Sequence, residues 1–265
     1  MENTTILKLL FISLLAFCSC ESTDPDPIEV ISVDQEFEVF PIQKLSIEGS
    51  QVFLNVRSIE PDSCINAVLD ANYQEVDNSI TLELNGIMYP EMCIEGYEYI
   101  QKEFVLPPKE GVYSIDFVKN GFNNTSGYIE ISDEKVELDI ENLGGVFVLA
   151  SSLSLIQENY AWGFLALRNG VGPNSNFNLE EVVSELQSIL RGFENVPEGT
   201  YSYFSVDEDG SVILPDQKEG AIPLAFDMPN PDSWEDLKRA IEFVTESRNE
   251  VFFAFTNGQG ENHHN

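Results

Sequence analysis

The sequence predicts an α+β chain, with an antiparallel β-sandwich over residues 28–140 and a compact α+β domain over residues 141–265. Three observations predict it. Apolar and polar residues alternate through the first part with no helical run between them, which is the pattern of strands with one buried face. Turn residues punctuate that alternation at short intervals, as in sandwiches. After Gly144-Gly145 the pattern changes to short runs that are apolar on both faces, separated by two segments of helical period.

In the first part, Phe37/Val39, Val52/Leu54/Val56, Ile80/Leu82/Leu84, Tyr113/Ile115/Phe117, Ile129/Ile131 and Val136/Leu138/Ile140 each place apolar side chains on one face of a strand. Asn85-Gly86, Pro107-Pro108-Lys109-Glu110-Gly111, Asn120-Gly121 and Asp133-Glu134 supply the turns between them. In the second part, Val146–Ala150, Trp162–Leu167 and Val251–Phe255 read as interior strands. Leu179, Val182, Val183, Leu186, Ile189, Leu190 and Phe193 fall on one helical face, started by Asn178 with Glu181 in a capping-box arrangement and broken near Gly192. Trp234, Leu237, Ile241 and Val244 form a second such face after Asp232 or Ser233, and Thr200–Leu214 reads as a hairpin around Asp207-Glu208-Asp209-Gly210. The two helices pack on the sheet.

The chain opens with a short polar segment and an apolar run, Leu9–Phe17, far shorter than the roughly 20 residues that span a bilayer. Leu14-Leu15-Ala16-Phe17-Cys18-Ser19-Cys20-Glu21 resembles a lipoprotein lipobox, with Ser19 before Cys20; Phe17 and Cys18 depart from the usual aliphatic-small pair. The resemblance implies a signal peptide over residues 1–19, lipid on Cys20 and an acidic tether over residues 20–27. An ordinary cleaved signal is the alternative. The acidic, Pro-rich stretch after Cys20 looks like the export signal of surface lipoproteins of Bacteroidetes-type bacteria. The expected location is the outer membrane, on its periplasmic side or at the cell surface.

Loss of Glu2 and Lys8 with the signal peptide leaves the net charge at −33. A field of that sign argues against nucleic acid and anionic lipid as partners, and favours solubility, cations or a basic protein. With Cys18 removed and Cys20 lipidated, Cys64 and Cys93 remain, and in an oxidising envelope such a pair is expected to form a disulfide.

Glu110-Gly111-Val112-Tyr113-Ser114-Ile115-Asp116-Phe117 looks like the penultimate strand of an Ig-like or fibronectin-like domain. Taken with Cys64 and Cys93, the segment is similar to Ig-like domains of secreted bacterial lipoproteins. The resemblance implies an Ig-like β-sandwich with Tyr113 in a tyrosine corner. Ile115 stands where antibody domains carry their second Cys. The motifs of the second part point to no particular family.

Candidate sites divide between ligand chemistry and plain folding. Asp207, Asp209 and Asp216 have part of a calcium-loop spacing, against which stands a plain Asp-Gly hairpin turn. Asn169-Gly170-Val171-Gly172 has two glycines of a phosphate-binding loop but neither the third nor a Lys, and reads as a loop. Tyr97/Tyr99 and Tyr201/Tyr203 alternate on expected strands, as either a platform for a sugar ring or cross-strand packing. His263 and His264, the only histidines, sit in a polar C-terminus expected to be disordered, which leaves no Ser-His-Asp or Cys-His arrangement. No cofactor and no catalytic residue are expected.

The function expected is that of a lipid-anchored envelope protein acting as a non-enzymatic binding module for a protein or polysaccharide. The alternatives are a glycan-binding accessory lipoprotein of a polysaccharide-uptake system, an acidic inhibitor or immunity-type protein for a basic partner, and a hydrolase using a carboxylate pair.

Overall fold

Alternation does what it should in the first part: each apolar face named above lies on a strand and points into one core. The computed structural model describes residues 37–119, 122–141, 145–168, 178–217, 219–246 and 248–265. The signal peptide, Cys20, the tether, Asn120-Gly121 and Asn169–Gly172 lie outside the described residues. Residues Asp34–Asn265 form one compact unit. Among the described residues it is β-rich with two α-helices, and no helix there is long and apolar enough to cross a membrane.

Two sheets face one another as a sandwich. The first has the order β11-β1-β2-β7, from β1 (Phe37–Ser46), β2 (Gly49–Ser58), β7 (Gln101–Val105) and β11 (Val146–Val148). The second has the order β12-β10-β9-β8-β5-β4, from β4 (Val68–Val76), β5 (Ser79–Met88), β8 (Gly111–Lys119), β9 (Phe122–Ile131), β10 (Lys135–Ile140) and β12 (Ser152–Ser154). Phe37, Val39, Leu54 and Val56 from one sheet meet Ile80, Leu82, Ile115, Phe117 and Ile129 from the other, all essentially without solvent contact. Each such side chain contributes about 1.5–3 kcal/mol by leaving water.

The sandwich departs from the expected one in two ways. It is not wholly antiparallel: β5 runs parallel to β8, with Ile80 opposite Ile115 and Leu82 opposite Phe117, and β1 runs parallel to β11. After β5 the chain crosses to the other sheet as β7 before returning as β8, and such a crossover sets the two strands parallel. The boundary expected at residues 140/141 also moves. Val146–Val148 pairs with Phe37–Val39 and Ser152–Ser154 pairs with β10, so the chain up to Ser154 belongs to the sandwich. The run Val146–Ala150 is an edge strand there: Val146 is buried in the sandwich core, while Phe147 and Val148 are half-buried.

The second part is built on a four-stranded antiparallel sheet of order β17-β13-β18-β19, from β13 (Tyr160–Leu167), β17 (Ile222–Asp227), β18 (Val251–Asn257) and β19 (Asn262–His264). Helices α1 (Leu179–Ile189) and α2 (Trp234–Thr245) cover one face, where Leu186, Leu237, Ile241 and Val244 pack on Leu165, Phe253 and Phe255. Asn178 caps α1, its Oδ1 accepting from Glu180 N at 3.0 Å. A short 3-10 turn, Pro231–Ser233, leads into α2. Within the sheet, Gly163 faces the β18 backbone so closely that a Cβ would lie 2.1 Å from the Ala254 carbonyl oxygen.

The opposite face carries a separate aromatic core. Tyr160 and Trp162 of β13 pack against Val196, Tyr201, Phe204 and Val206. Val206 lies on a small sheet of β14 (Gly199–Thr200), β15 (Ser205–Val206) and β16 (Val212–Ile213), Tyr201 and Phe204 lie in the connection between β14 and β15, and Val196 precedes β14; the sheet contains the expected hairpin and one strand more. The C-terminus differs from expectation. His263 and His264 are ordered on β19, opposite Phe255 and Ala254, because the His263 ring packs on Phe253 at 5.0 Å and edge-on to Trp234 at 6.5 Å.

Candidate interaction surface

The disulfide between Cys64 and Cys93 closes a segment that carries apolar side chains into solvent. The cysteines are 29 residues apart in sequence with Cα atoms 5.0 Å apart, and they join the ends of a small two-stranded sheet, β3 (Asp62–Cys64) and β6 (Glu95–Glu98). Asn66 braces the loop from inside, its Nδ2 donating to Met92 O at 3.1 Å and its Oδ1 accepting from Ile94 N at 2.9 Å. Ile65 N donates to Ile94 O at 3.1 Å. Asp62 accepts from Cys64 N at 2.8 Å with one oxygen and from the Tyr89 hydroxyl at 2.7 Å with the other. That shared proton holds the Asp62 carboxyl below the usual carboxylate range and the Tyr89 hydroxyl above the usual phenol range.

On this braced backbone Met92 is 83% exposed and Tyr97 84%, with Met88, Tyr89 and Ile94 more than half exposed beside them. Val68 stands opposite Met88 across β4 and β5 and is exposed too. Isolated exposed apolar residues are ordinary, but Met, Tyr and Ile exposed together on one stapled loop make this segment the candidate interaction surface. Glu60, Glu91, Glu95 and Glu98 are exposed around it, and from Ser58 to Gln101 the chain carries no Lys, Arg or His. Rigidity matters as much as composition, because a loop held in one conformation loses little entropy on binding.

The sequence-derived candidates distribute unevenly over this structure. Cys64 and Cys93 are the core of the surface, and Tyr97 is on it. Tyr99 is taken up structurally: the Arg57 guanidinium lies 4.5 Å from its ring while bonding Glu38 at 2.7 Å. Tyr113 donates its hydroxyl to Lys109 O at 2.8 Å, the hydrogen bond that defines a tyrosine corner. Tyr201 and Tyr203 form no platform. Tyr201 is buried, stacked on Phe204 at 4.6 Å, and Tyr203 stacks on Trp162 at 5.6 Å.

Asp207, Asp209 and Asp216 make no metal site, since among the described residues no three His, Cys, Asp or Glu side chains assemble to hold an ion. Asp207–Gly210 is a turn, with Gly210 N donating to Asp207 O at 2.8 Å and Gly210 at φ +82°. The Asp209 carboxylate accepts from Ser211 N at 2.9 Å, which uses it locally.

Elsewhere, a polar cleft of about 520 Å³ lies between the β1–β2 turn and residues 156–158 and 258–261, with Glu48, Glu158 and Glu261 on its walls. One pair of carboxylates is also brought together, because Glu194 and Asp227 exchange both backbone hydrogen bonds, at 2.9 and 2.8 Å. Burial, and then the charge of Glu194, push the Asp227 carboxyl upward. Asp227 does not line that polar cleft.

The exposed surface residues Met88, Tyr89, Met92 and Ile94 did not stand out in the sequence, where they show no periodicity. The available signal was their density between the two cysteines in a segment without cations. Comparison with protein-family models, curated proteins and solved structures finds no match for this chain.

Proposed function

We propose that this chain is a non-enzymatic interaction module, held at the outer membrane by lipid on Cys20 and presenting the Cys64–Cys93 loop to a macromolecular partner. The observation that carries this reading is the exposure of Met92, Tyr97 and Ile94 on a loop fixed by a disulfide and by Asn66. A protein gains nothing in stability by leaving such side chains in water, whereas burying each against a partner contributes about 1.5–3 kcal/mol. The lipobox at Cys20 and the acidic, Pro-rich stretch behind it support the anchor and a tether that holds the module off the membrane. The sandwich we read as Ig-like, supported by the two facing sheets and by the corner at Tyr113.

The test is a pull-down from native envelope with the mature chain from residue 21 on, compared with its Met92→Ser/Tyr97→Ser double variant. Both side chains are exposed, so the variant keeps its fold, checked by an unchanged urea midpoint. Loss of the recovered partner in the variant is expected. Equal recovery by both chains would show that binding lies elsewhere. Replacement of Cys20 by Ala should release the protein from membranes.

A further inference from the structure

We infer that the partner of the Cys64–Cys93 surface is a cationic amphipathic segment, a stretch of protein chain with apolar side chains on one face and Lys or Arg beside them. This rests on the reading of that surface as the interaction site and names the chemistry it selects. Two features of the surface meet in this one occupant. Its centre is apolar and adaptable: Met88 and Met92 have flexible thioether side chains that reshape around a guest, and the exposed Tyr97 ring offers a face to a cation. The segment that carries it is of one sign, with Glu60, Glu91, Glu95 and Glu98 exposed and no cation in the sequence from Ser58 to Gln101, and Arg57, which reaches the Tyr99 ring, is already paired with Glu38 at 2.7 Å.

That charge decides among occupants. A second copy of this chain would bring the same acids against themselves, within a net charge of −33 per chain, and like charges set face to face oppose association. An anionic lipid surface is repelled for the same reason. A cationic segment gains on every count: its apolar face covers Met92, Ile94 and Tyr97, its cations reach these carboxylates, and the field of the whole molecule steers it in. Such charge acts mainly on the rate of encounter and on selectivity, while the apolar centre holds the complex.

The experiment uses three synthetic peptides of about 18 residues: Lys and Leu spaced to place Leu on one helical face, the same pattern with Glu for Lys, and oligolysine. Each is titrated into the mature chain from residue 21 on, which contains the whole compact unit Asp34–Asn265, by calorimetry at low and high salt. The Lys–Leu peptide is expected to bind, to weaken about tenfold or more in the Met92→Ser/Tyr97→Ser variant, and to weaken on going from about 20 to 500 mM salt. Glu91→Gln/Glu95→Gln/Glu98→Gln should flatten that salt dependence while leaving binding at high salt unchanged.

Equal binding of the Glu–Leu peptide would overturn the choice of a cationic partner and leave the interaction module standing. Oligolysine binding as tightly as Lys–Leu, indifferent to Met92→Ser/Tyr97→Ser, would mean an undirected acidic field and overturn the site. Insertion of the surface into neutral phosphatidylcholine vesicles with no peptide bound would make lipid the occupant and overturn the inference.

Discussion

The side chain of Gln43 takes both backbone groups of Ile156, its Oε1 accepting from Ile156 N at 2.7 Å and its Nε2 donating to Ile156 O at 3.1 Å. Gln43 lies on β1 and is 2% exposed, and Ile156 opens the aromatic core of the second part. The Gln43 backbone N–H also donates to Ser202 Oγ at 2.6 Å. A single buried amide therefore does for the junction what a strand pair does inside a sheet. Gln43→Ala leaves two buried backbone groups without partners and should cost about 2–3 kcal/mol, measured as a drop in the urea midpoint at constant slope. A cost under about 0.5 kcal/mol would mean that packing and the backbone bond from Gln43 to Ser202 hold the junction without the side-chain amide.

Tyr201 repeats the arrangement of Tyr113. Its hydroxyl donates to Pro197 O at 2.9 Å, four residues upstream, as Tyr113 donates to Lys109 O. The two segments share a pattern, Glu110-Gly111-Val112-Tyr113 and Glu198-Gly199-Thr200-Tyr201. Tyr113→Phe and Tyr201→Phe should each cost about 1 kcal/mol, since each removes the one hydrogen bond that a buried tyrosine makes with its hydroxyl to the backbone upstream. Burial pushes the Tyr201 hydroxyl above the usual phenol range, so a spectrophotometric titration should show one fewer late-ionising tyrosine in Tyr201→Phe. Tyr73, pushed up to about 12 by burial, remains as the reference in both proteins.

The corner at Tyr113 is legible in the sequence, and the matching one at Tyr201 is not, because on alternation alone Tyr201 reads as a platform or a cross-strand pair. Alternation located β1, β2, β5, β8, β9 and β10 because each buries one face only, so Ile80, Ile115 and Ile129 write the fold directly into their spacing. Helical period did the same for Leu186 and Ile241. Pairing partners were not legible, because the side chains of Phe37 and Val146 do not encode that their strands run parallel. The ordering of His263 was hidden as well, since it depends on Trp234 and Phe253 arriving from elsewhere in the chain. Binding surfaces escape periodicity by their nature: Met92 and Tyr97 point outward from a loop whose geometry Asn66 and the disulfide impose.

The disulfide should matter more to the surface than to the sandwich. Closing a loop of this length restricts the unfolded chain by about 3–4 kcal/mol in the entropy model, so Cys64→Ala/Cys93→Ala lowers stability by about that much. Its native-state consequence is local. Hydrogen exchange should accelerate at Ile65 and Ile94, whose amides bond within the loop, while Ile115 on the central strand β8 keeps its protection relative to global unfolding. Uniform acceleration at all three would mean that the loop and the sheets open as one unit.

His263 and Asp227 give stability opposite dependences on pH. The half-buried imidazole is held below its ordinary value first by burial; Glu242 at 3.4 Å and Glu235 pull the other way, while Lys238 and His264 add to the lowering. The folded state therefore binds this proton more weakly than the unfolded state does. Its contribution is full above the unfolded value of about 6.5 and is lost as pH falls through the lower folded value. Asp227 is shifted upward by burial and by Glu194, against the hydrogen bond from Asn159. Its folded state binds the proton more tightly, so that contribution is present below the unfolded value of about 3.9 and is lost as pH rises through the folded one. His263→Gln should remove a fall in stability that begins near pH 6.5, and Asp227→Asn should raise stability at pH 7 while changing little near pH 3. The check is a set of urea midpoints for the three proteins across pH 3–8, each variant compared with the parent at the same pH. An identical pH profile in the parent and in His263→Gln would mean that the imidazole titrates as if in water, and that its packing on Phe253 opens readily to solvent.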